Sequence, residues 1–198
     1  MSIESLNLDL FSLLNVPQQA SPVIMHYAIF IARDLVYLLL GYFTLFWFYA
    51  SKNSKALILK AFIFCCIALS ISELMSYLIQ TPRPFVMHVG QTLIAHEATG
   101  SFPSNHMTIF SSIAFAYYFS ARRDIGKLLL AVAWLVAWSR IYVGVHFPID
   151  MVGAFILSWM VNLAGLKLWN HYQEKLMSWV MWIYQKLFNS LIQKGLIK

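Results

Sequence analysis

Ser139-Arg140-Ile141-Tyr142-Val143-Gly144-Val145-His146-Phe147-Pro148-Ile149-Asp150 bridges two apolar runs, residues 126–145 and 149–168. It sets an arginine near the end of the first run, and a histidine and an aspartate four residues apart across the start of the second. Each run is close to the ~20 residues that cross about 30 Å of hydrocarbon at ~1.5 Å per residue, so the bridge reads as a short turn between two membrane spans. Working outward, similar runs occupy residues 104–121, 57–80 and 23–50. Five spans follow.

The composition agrees. A chain of 198 residues that is 60% hydrophobic, 16% aromatic and 11% charged lies far from soluble averages, in which about a quarter of residues are charged. The expected fold is all-α: a polytopic membrane bundle of five to six transmembrane helices plus amphipathic terminal helices. Five or six spans use nearly the whole length, so residues 1–198 read as a single domain with its motif-bearing core at about 57–168. Residues 172–194 set Lys175, Ser178, Gln185, Lys186, Asn189 and Gln193 opposite Leu176, Val180, Ile183, Leu187 and Leu191, the pattern of an interfacial helix or a short sixth span. The stretch Ile3 to Leu14 is also mixed in character and is expected on the outer surface. Residues 1–22 carry Glu4 and Asp9 but no basic n-region, so the first span is expected to act as its own targeting signal.

Charge sets the orientation. Lys52 and Lys55, then Arg122, Arg123 and Lys127, then Lys167 and Lys175 fall in alternate connections, which the positive-inside rule assigns to the cytoplasmic side. The net charge of +6 is thereby explained without nucleic acid, since the basic residues are scattered rather than gathered on one soluble face. Residues 81–103 and the turn at 146–148 then face outward. Three polar clusters share that face: Pro82-Arg83-Pro84, Pro103-Ser104-Asn105-His106, and Arg140 through Asp150.

These residue types suit phosphate chemistry. Arg83 and Arg140 offer planar forks of donors that match two phosphate oxygens at once. Pro103-Ser104 has the signature of a helix start, with Ser104 able to cap it and the free amides of that turn able to face an anion. Asp150 can reach one imidazole nitrogen of His146 and leave the other to attack phosphorus, giving a phosphohistidine. His106, from another helix, would protonate the leaving oxygen and then activate water.

This constellation resembles the type-2 phosphatidic acid phosphatases, integral-membrane relatives of bacterial acid phosphatases and vanadium haloperoxidases. The resemblance runs through Arg83-Pro84, Pro103-Ser104-Asn105-His106 and Ser139-Arg140-x5-His146-x3-Asp150, and covers about residues 57–168. It implies His146 as nucleophile, Asp150 as its orienting partner, His106 as general acid, Arg83, Ser104 and Arg140 as phosphate ligands, and an active site toward the outer leaflet. One position departs: Ser76 stands where the usual motif has lysine, seven residues before Arg83. The bacitracin-resistance branch, undecaprenyl-diphosphate phosphatases, also lacks this lysine and is similar at Pro82-Arg83-Pro84-Phe85-Val86-Met87-His88 and at Ile94-Ala95-His96.

The resemblance implies hydrolysis of undecaprenyl diphosphate to the monophosphate and phosphate, at the outer face of a bacterial cytoplasmic membrane. Alternatives are a phosphatidate or phosphatidylglycerophosphate phosphatase, or a non-catalytic lipid-binding protein. No cofactor or metal is expected, because two arginines beside His106, His146 and Asp150 repel a cation and suit an oxyanion. The expected partners are the lipid diphosphate and membrane lipids; oligomeric state is not encoded legibly. His88, His96 and Glu73 are possible substrate contacts. His26, His171 and the Arg33-Asp34 pair read as structural, and adjacent Cys65 and Cys66 as small hydrophobes.

Overall fold

The computed structural model describes residues 2–198, with seven helices and no strand among them. They are α1 Ile3–Leu14, α2 Pro22–Arg33, α3 Leu35–Tyr49, α4 Lys52–Ile79, α5 Asn105–Tyr118, α6 Arg123–Tyr142 and α7 Pro148–Gln193. Local chemistry sets the boundaries. Ser51 caps α4 by accepting from the Ser54 amide, and the helix ends where Gln80 turns left-handed (φ 49°) ahead of Pro82 and Pro84. Proline opens both α2 and α7, where its missing N–H costs nothing.

Helices α4, α6 and α7 are each long and apolar enough to cross a membrane, and α2 with α3 makes a fourth crossing if the bent pair is one span. That pair bends by 48° at a break where the Arg33 Nε donates to Asp34 Oδ1 at 2.8 Å. The run expected as a third span forms the 14-residue α5, about 21 Å long at ~1.5 Å per residue, which leads from the site to the end of the bundle where α6 starts. It is short because it need not meet lipid. Met107, Phe110, Ile113, Ala114 and Ala116 are all buried, and α4, α6 and α7 pack around the helix.

The α5–α7 seam is built from small polar residues that let the backbones approach. Ser111 Oγ donates to Ser158 Oγ (2.8 Å), Ser158 Oγ to Thr108 O (3.2 Å), and Asn162 Nδ2 to Ser112 Oγ (3.1 Å).

At the other end of the sequence, α1 lies across the α6–α7 turn. Phe11 is fully buried with its ring centroid 5.1 Å from that of Phe147, and Asn15 donates to the carbonyls of Gln91 (2.9 Å) and Tyr142 (3.1 Å). The boundary expected near residue 172 is absent. Helix α7 continues unbroken through residue 172 for about 60 Å, as far as a kink at Phe188 that separates off its last few residues. The amphipathic segment is therefore an extension of the last span rather than a separate helix.

Candidate active site

Four elements supply the site: the loop after α4, the start of α5, the end of α6 and the α6–α7 turn. That turn closes through Gly144, whose φ of +80° suits glycine and whose hypothetical Cβ would lie 2.1 Å from Gln91 O. The chain then delivers His146 into α7. Asp150, in the first turn, accepts from the Phe147 amide at 2.8 Å, so the carboxylate both caps α7 and faces the imidazole.

His146 and Asp150 are nearly fully buried, with Nδ1 3.2 Å from Oδ2. On the far side of the ring, Nε2 lies 3.0 Å from Arg83 Nη1. A guanidinium can only donate, so Nε2 must be the acceptor and the proton sits on Nδ1, directed at Asp150. The tautomer presenting a lone pair at Nε2 is thus set by its neighbours. Burial holds the His146 imidazole well below its ordinary proton affinity, and the Arg140 and Arg83 cations push the same way.

Arg83, 5% exposed, is braced in every direction. Nε donates to Thr99 O (3.0 Å), Nη1 to Val145 O (3.0 Å), and Nη2 to Thr99 Oγ1 (3.3 Å) and Gly100 O (3.1 Å). With the Nη1 contact to His146 Nε2, all five N–H groups are engaged. Burial lowers the Arg83 proton affinity, while Asp150 and Glu73 act against it.

Arg140 is the opposite case. It is 2% exposed and spends Nη1 on Ala32 O (3.0 Å), while Nε and Nη2 have no partner. Ser104 is also fully buried with its Oγ unpaired. The cap expected from that hydroxyl is not made: Ser104 sits at the N-cap of α5 in extended conformation, but its side chain bonds no amide of the first turn. The oxygen is left free. His106, half-buried at the second position of α5, lies within electrostatic range of Arg140, His146, His96 and Arg83.

Two buried guanidiniums against one buried carboxylate, with three unsatisfied donor atoms, give the cluster a surplus of positive charge and donors that suits an oxyanion. Among the described residues, no three His, Cys, Asp or Glu side chains are grouped to hold a metal ion.

The remaining expected contacts separate. The His96 ring lies 6.1 Å from that of His146, edge to face. Glu73 accepts from Asn105 Nδ2, and Ser72 Oγ donates to Asn105 Oδ1 at 2.8 Å, which ties α4 to the residue preceding His106. His88 is exposed on the turn after Arg83, at φ 55°, and the structure does not bring it to the histidine pair. His26 and His171 are elsewhere, the first against Pro22 O at 2.6 Å and the second packed on Tyr172.

Sequence reasoning missed Ser101. Its hydroxyl, fully buried, donates to Asp150 Oδ2 and lies 3.3 Å from His146 Nδ1, making it a third member of the His146–Asp150 unit. It also missed the role of Ser76, whose Oγ donates to Gly100 O at 3.1 Å and fastens the loop that carries Arg83's acceptors.

Known proteins with the same arrangement decide the family. The sequence profile described as PAP2 superfamily matches residues 57–174, more than half of the chain. The chain belongs to the PAP2 superfamily. Its relatives include an Escherichia coli (strain K12) protein, YbjG, provisionally named an undecaprenyl-diphosphatase, which is 34% identical over 99% of both chains. The undecaprenyl-diphosphatase BcrC of Bacillus subtilis (strain 168) is 32% identical over 75% of this chain and 76% of the relative. In fold, the chain matches the crystal structure of a transmembrane PAP2 type phosphatidylglycerolphosphate phosphatase from Bacillus subtilis, with TM-score 0.62 and 20% identity over 87% of each chain. The PAP2 profile begins in α4 and ends within α7, so all four site elements lie inside it, while α1 to α3 lie outside.

Proposed function

We propose that this PAP2 protein hydrolyses undecaprenyl diphosphate to undecaprenyl phosphate and inorganic phosphate, without a metal ion, through a phosphohistidine at His146. The observation that carries the phosphatase reading is the set of buried, unpaired donors, Ser104 Oγ and Arg140 Nε and Nη2, beside an imidazole whose lone pair is set at Nε2. The lipid is assigned from the names of the relatives, YbjG and BcrC.

The steps follow from the groups present. The terminal phosphoryl binds to Arg140, Ser104 and the free amides at the start of α5. Arg83 Nη1 redirects its hydrogen bond from His146 Nε2 to a phosphoryl oxygen, keeping its proton, and so releases the lone pair. A bond forms from Nε2 to phosphorus as the bridging P–O bond breaks, and the positive charge that grows on the imidazole is met by Asp150. His106 gives its proton to the departing lipid phosphate; the bound anion raises the proton affinity of that imidazole, so His106 gains the proton with the substrate. Water then attacks phosphorus, His106 takes a water proton, the N–P bond breaks and phosphate leaves.

We place the site at the outer face of a bacterial cytoplasmic membrane. Support comes from Lys52 and Lys55 at the start of α4 and Arg122 and Arg123 at the start of α6, the ends of those helices opposite the site.

The test is phosphate release by detergent-purified protein with undecaprenyl diphosphate and phosphatidate, with EDTA present. His146→Ala and His106→Ala are each expected to abolish turnover, and quenched wild-type protein is expected to carry acid-labile phosphate. Activity lost in EDTA and restored by a divalent cation refutes the mechanism. Equal turnover of phosphatidate refutes the substrate assignment alone.

A further inference from the structure

We infer that His96 is a further ligand of the phosphoryl group, contacting it through Nε2. The inference rests on the phosphatase reading above and adds a residue to it. His96 lies in the loop between α4 and α5, half-buried, with its ring 6.1 Å from the His146 ring and the two planes 76° apart. Its Nδ1 is 3.1 Å from Glu97 O. A carbonyl only accepts, so Nδ1 carries the proton and Nε2 is left as a bare lone pair. An open surface depression lined by Ala95, His96 and Glu97 adjoins the ring, so its edge is reachable from outside.

Charge gives the reason such a contact is needed. One phosphate carries about −1.5 to −2 near neutrality, and a lipid diphosphate carries more. Of the two permanent cations in the site, Arg83 has all five donors engaged, and four of them hold the loop and turn backbone or Thr99. Ser76 contributes no charge and spends its hydroxyl on Gly100 O. The groups facing His96 are Arg83 from its own loop, Arg140 from α6, His146 from the α6–α7 turn, His106 from α5, and Glu97 beside it. Burial and the two arginines hold the His96 imidazole below its ordinary proton affinity, with Glu97 opposing them. An arriving phosphoryl group reverses that balance. A proton from solvent goes to Nε2, which then donates to a phosphoryl oxygen; no bond to phosphorus changes at this step.

The experiment uses the full chain in detergent, with undecaprenyl diphosphate as substrate and inorganic phosphate as competing ligand. His96→Gln is expected to lower kcat/KM about tenfold to a hundredfold at pH 6, the scale of one hydrogen bond to a charged group. It is expected to weaken inhibition by phosphate by a similar factor. Both deficits shrink toward pH 8, where the wild-type imidazole takes up its proton less readily. His96→Lys, which keeps a cation at this position, is expected to restore phosphate inhibition and make it independent of pH over that range. A His96→Gln variant within twofold of wild type at pH 6, or equally impaired at every pH, overturns the inference. So does a His96→Lys variant that binds phosphate no better than His96→Gln. If wild type turns over no lipid phosphate, the phosphatase reading fails, and phosphate-induced thermal shifts of the same variants still decide the role of His96.

Discussion

Arg140→Met is expected to make the protein more stable and nearly inactive. Nε and Nη2 of Arg140 are buried charged donors without partners, and each such group costs about 1–3 kcal/mol. Methionine removes both. The substitution also loses the Nη1 bond to Ala32 O, about 1.5–3 kcal/mol for a bond from a charged donor. Taking central values, about 4 kcal/mol relieved against about 2 lost, the variant is favoured by about 2 kcal/mol, in line with the gain often seen when buried ions give way to apolar side chains of similar volume. For a chain of this length that is roughly 4–8 °C in Tm. Turnover moves the other way, since two charge-assisted bonds to the phosphoryl group are worth about 3–6 kcal/mol, roughly 10² to 10⁴ in kcat/KM. The assay is a thermal melt in one detergent at one scan rate, with and without inorganic phosphate. Wild type should gain stability from phosphate and the variant should not. A phosphate-free variant that melts below wild type, or one still stabilised by phosphate, would refute the reasoning.

Ser101→Ala removes a hydroxyl that donates to Asp150 and is expected to lower kcat about tenfold to a hundredfold with little change in KM, while Ser101→Thr recovers most of the loss, as steady-state kinetics will show. The neutral His146 gives a pH signature: its affinity for protons is depressed in the fold, so its stability contribution is present above the unfolded value of 6.5 and is lost as pH falls below it. Melts from pH 7.5 to 5 should therefore fall more steeply for wild type than for His146→Gln, by up to about 1.4 kcal/mol per pH unit, and parallel slopes would contradict the buried neutral assignment. Gly144→Ala places a methyl 2.1 Å from Gln91 O at φ +80° and is expected to cost more than about 2 kcal/mol, read as a lower denaturation midpoint with an unchanged slope.

The side chains of the site were legible because chemistry at a membrane surface demands unusual residues there. Arginine, histidine and aspartate at the ends of apolar runs have few structural excuses, and Arg83, His106, Arg140, His146 and Asp150 stood out for that reason. Ser101 did not, because a single serine before Phe102 and Pro103 looks the same whether it meets solvent or a buried carboxylate; only the fold brings it against Asp150. Hydropathy was likewise blind to who covers a helix. It marks the run at 104–121 as a span without showing that α5 is wrapped by α4, α6 and α7 and is only 14 residues long. It reads a change of texture near residue 172 as a boundary, although a helix can keep its backbone hydrogen bonds while the character of its surface changes, as α7 does there. The covering of the α6–α7 turn by Phe11 and Asn15 left no mark in the sequence, since an amphipathic segment can lie on lipid or on protein with equal ease.

The unpaired atoms of the site gain meaning from what surrounds them. The chain shows that it can satisfy polar groups deep in the bundle: along the α5–α7 seam, the hydroxyls of Thr108, Ser111, Ser112 and Ser158 all find partners, and Asn162 Oδ1 is the exception there. One turn above Thr108 on the same helix, Ser104 Oγ is buried just as completely and finds nothing. Asp150 accepts from the Phe147 amide and the Ser101 hydroxyl and faces His146 Nδ1, yet neither Ser104 nor Arg140 is given an acceptor. Poor packing would scatter orphans through the bundle. Here, among the described residues, three of the five buried orphan atoms belong to two residues of one cluster, and all three can donate. Donors left bare beside the His146 imidazole carry a cost that an oxyanion would remove on binding. On the proposed reading, the cost relieved when the oxyanion binds is free energy available for holding a phosphoryl group against His146.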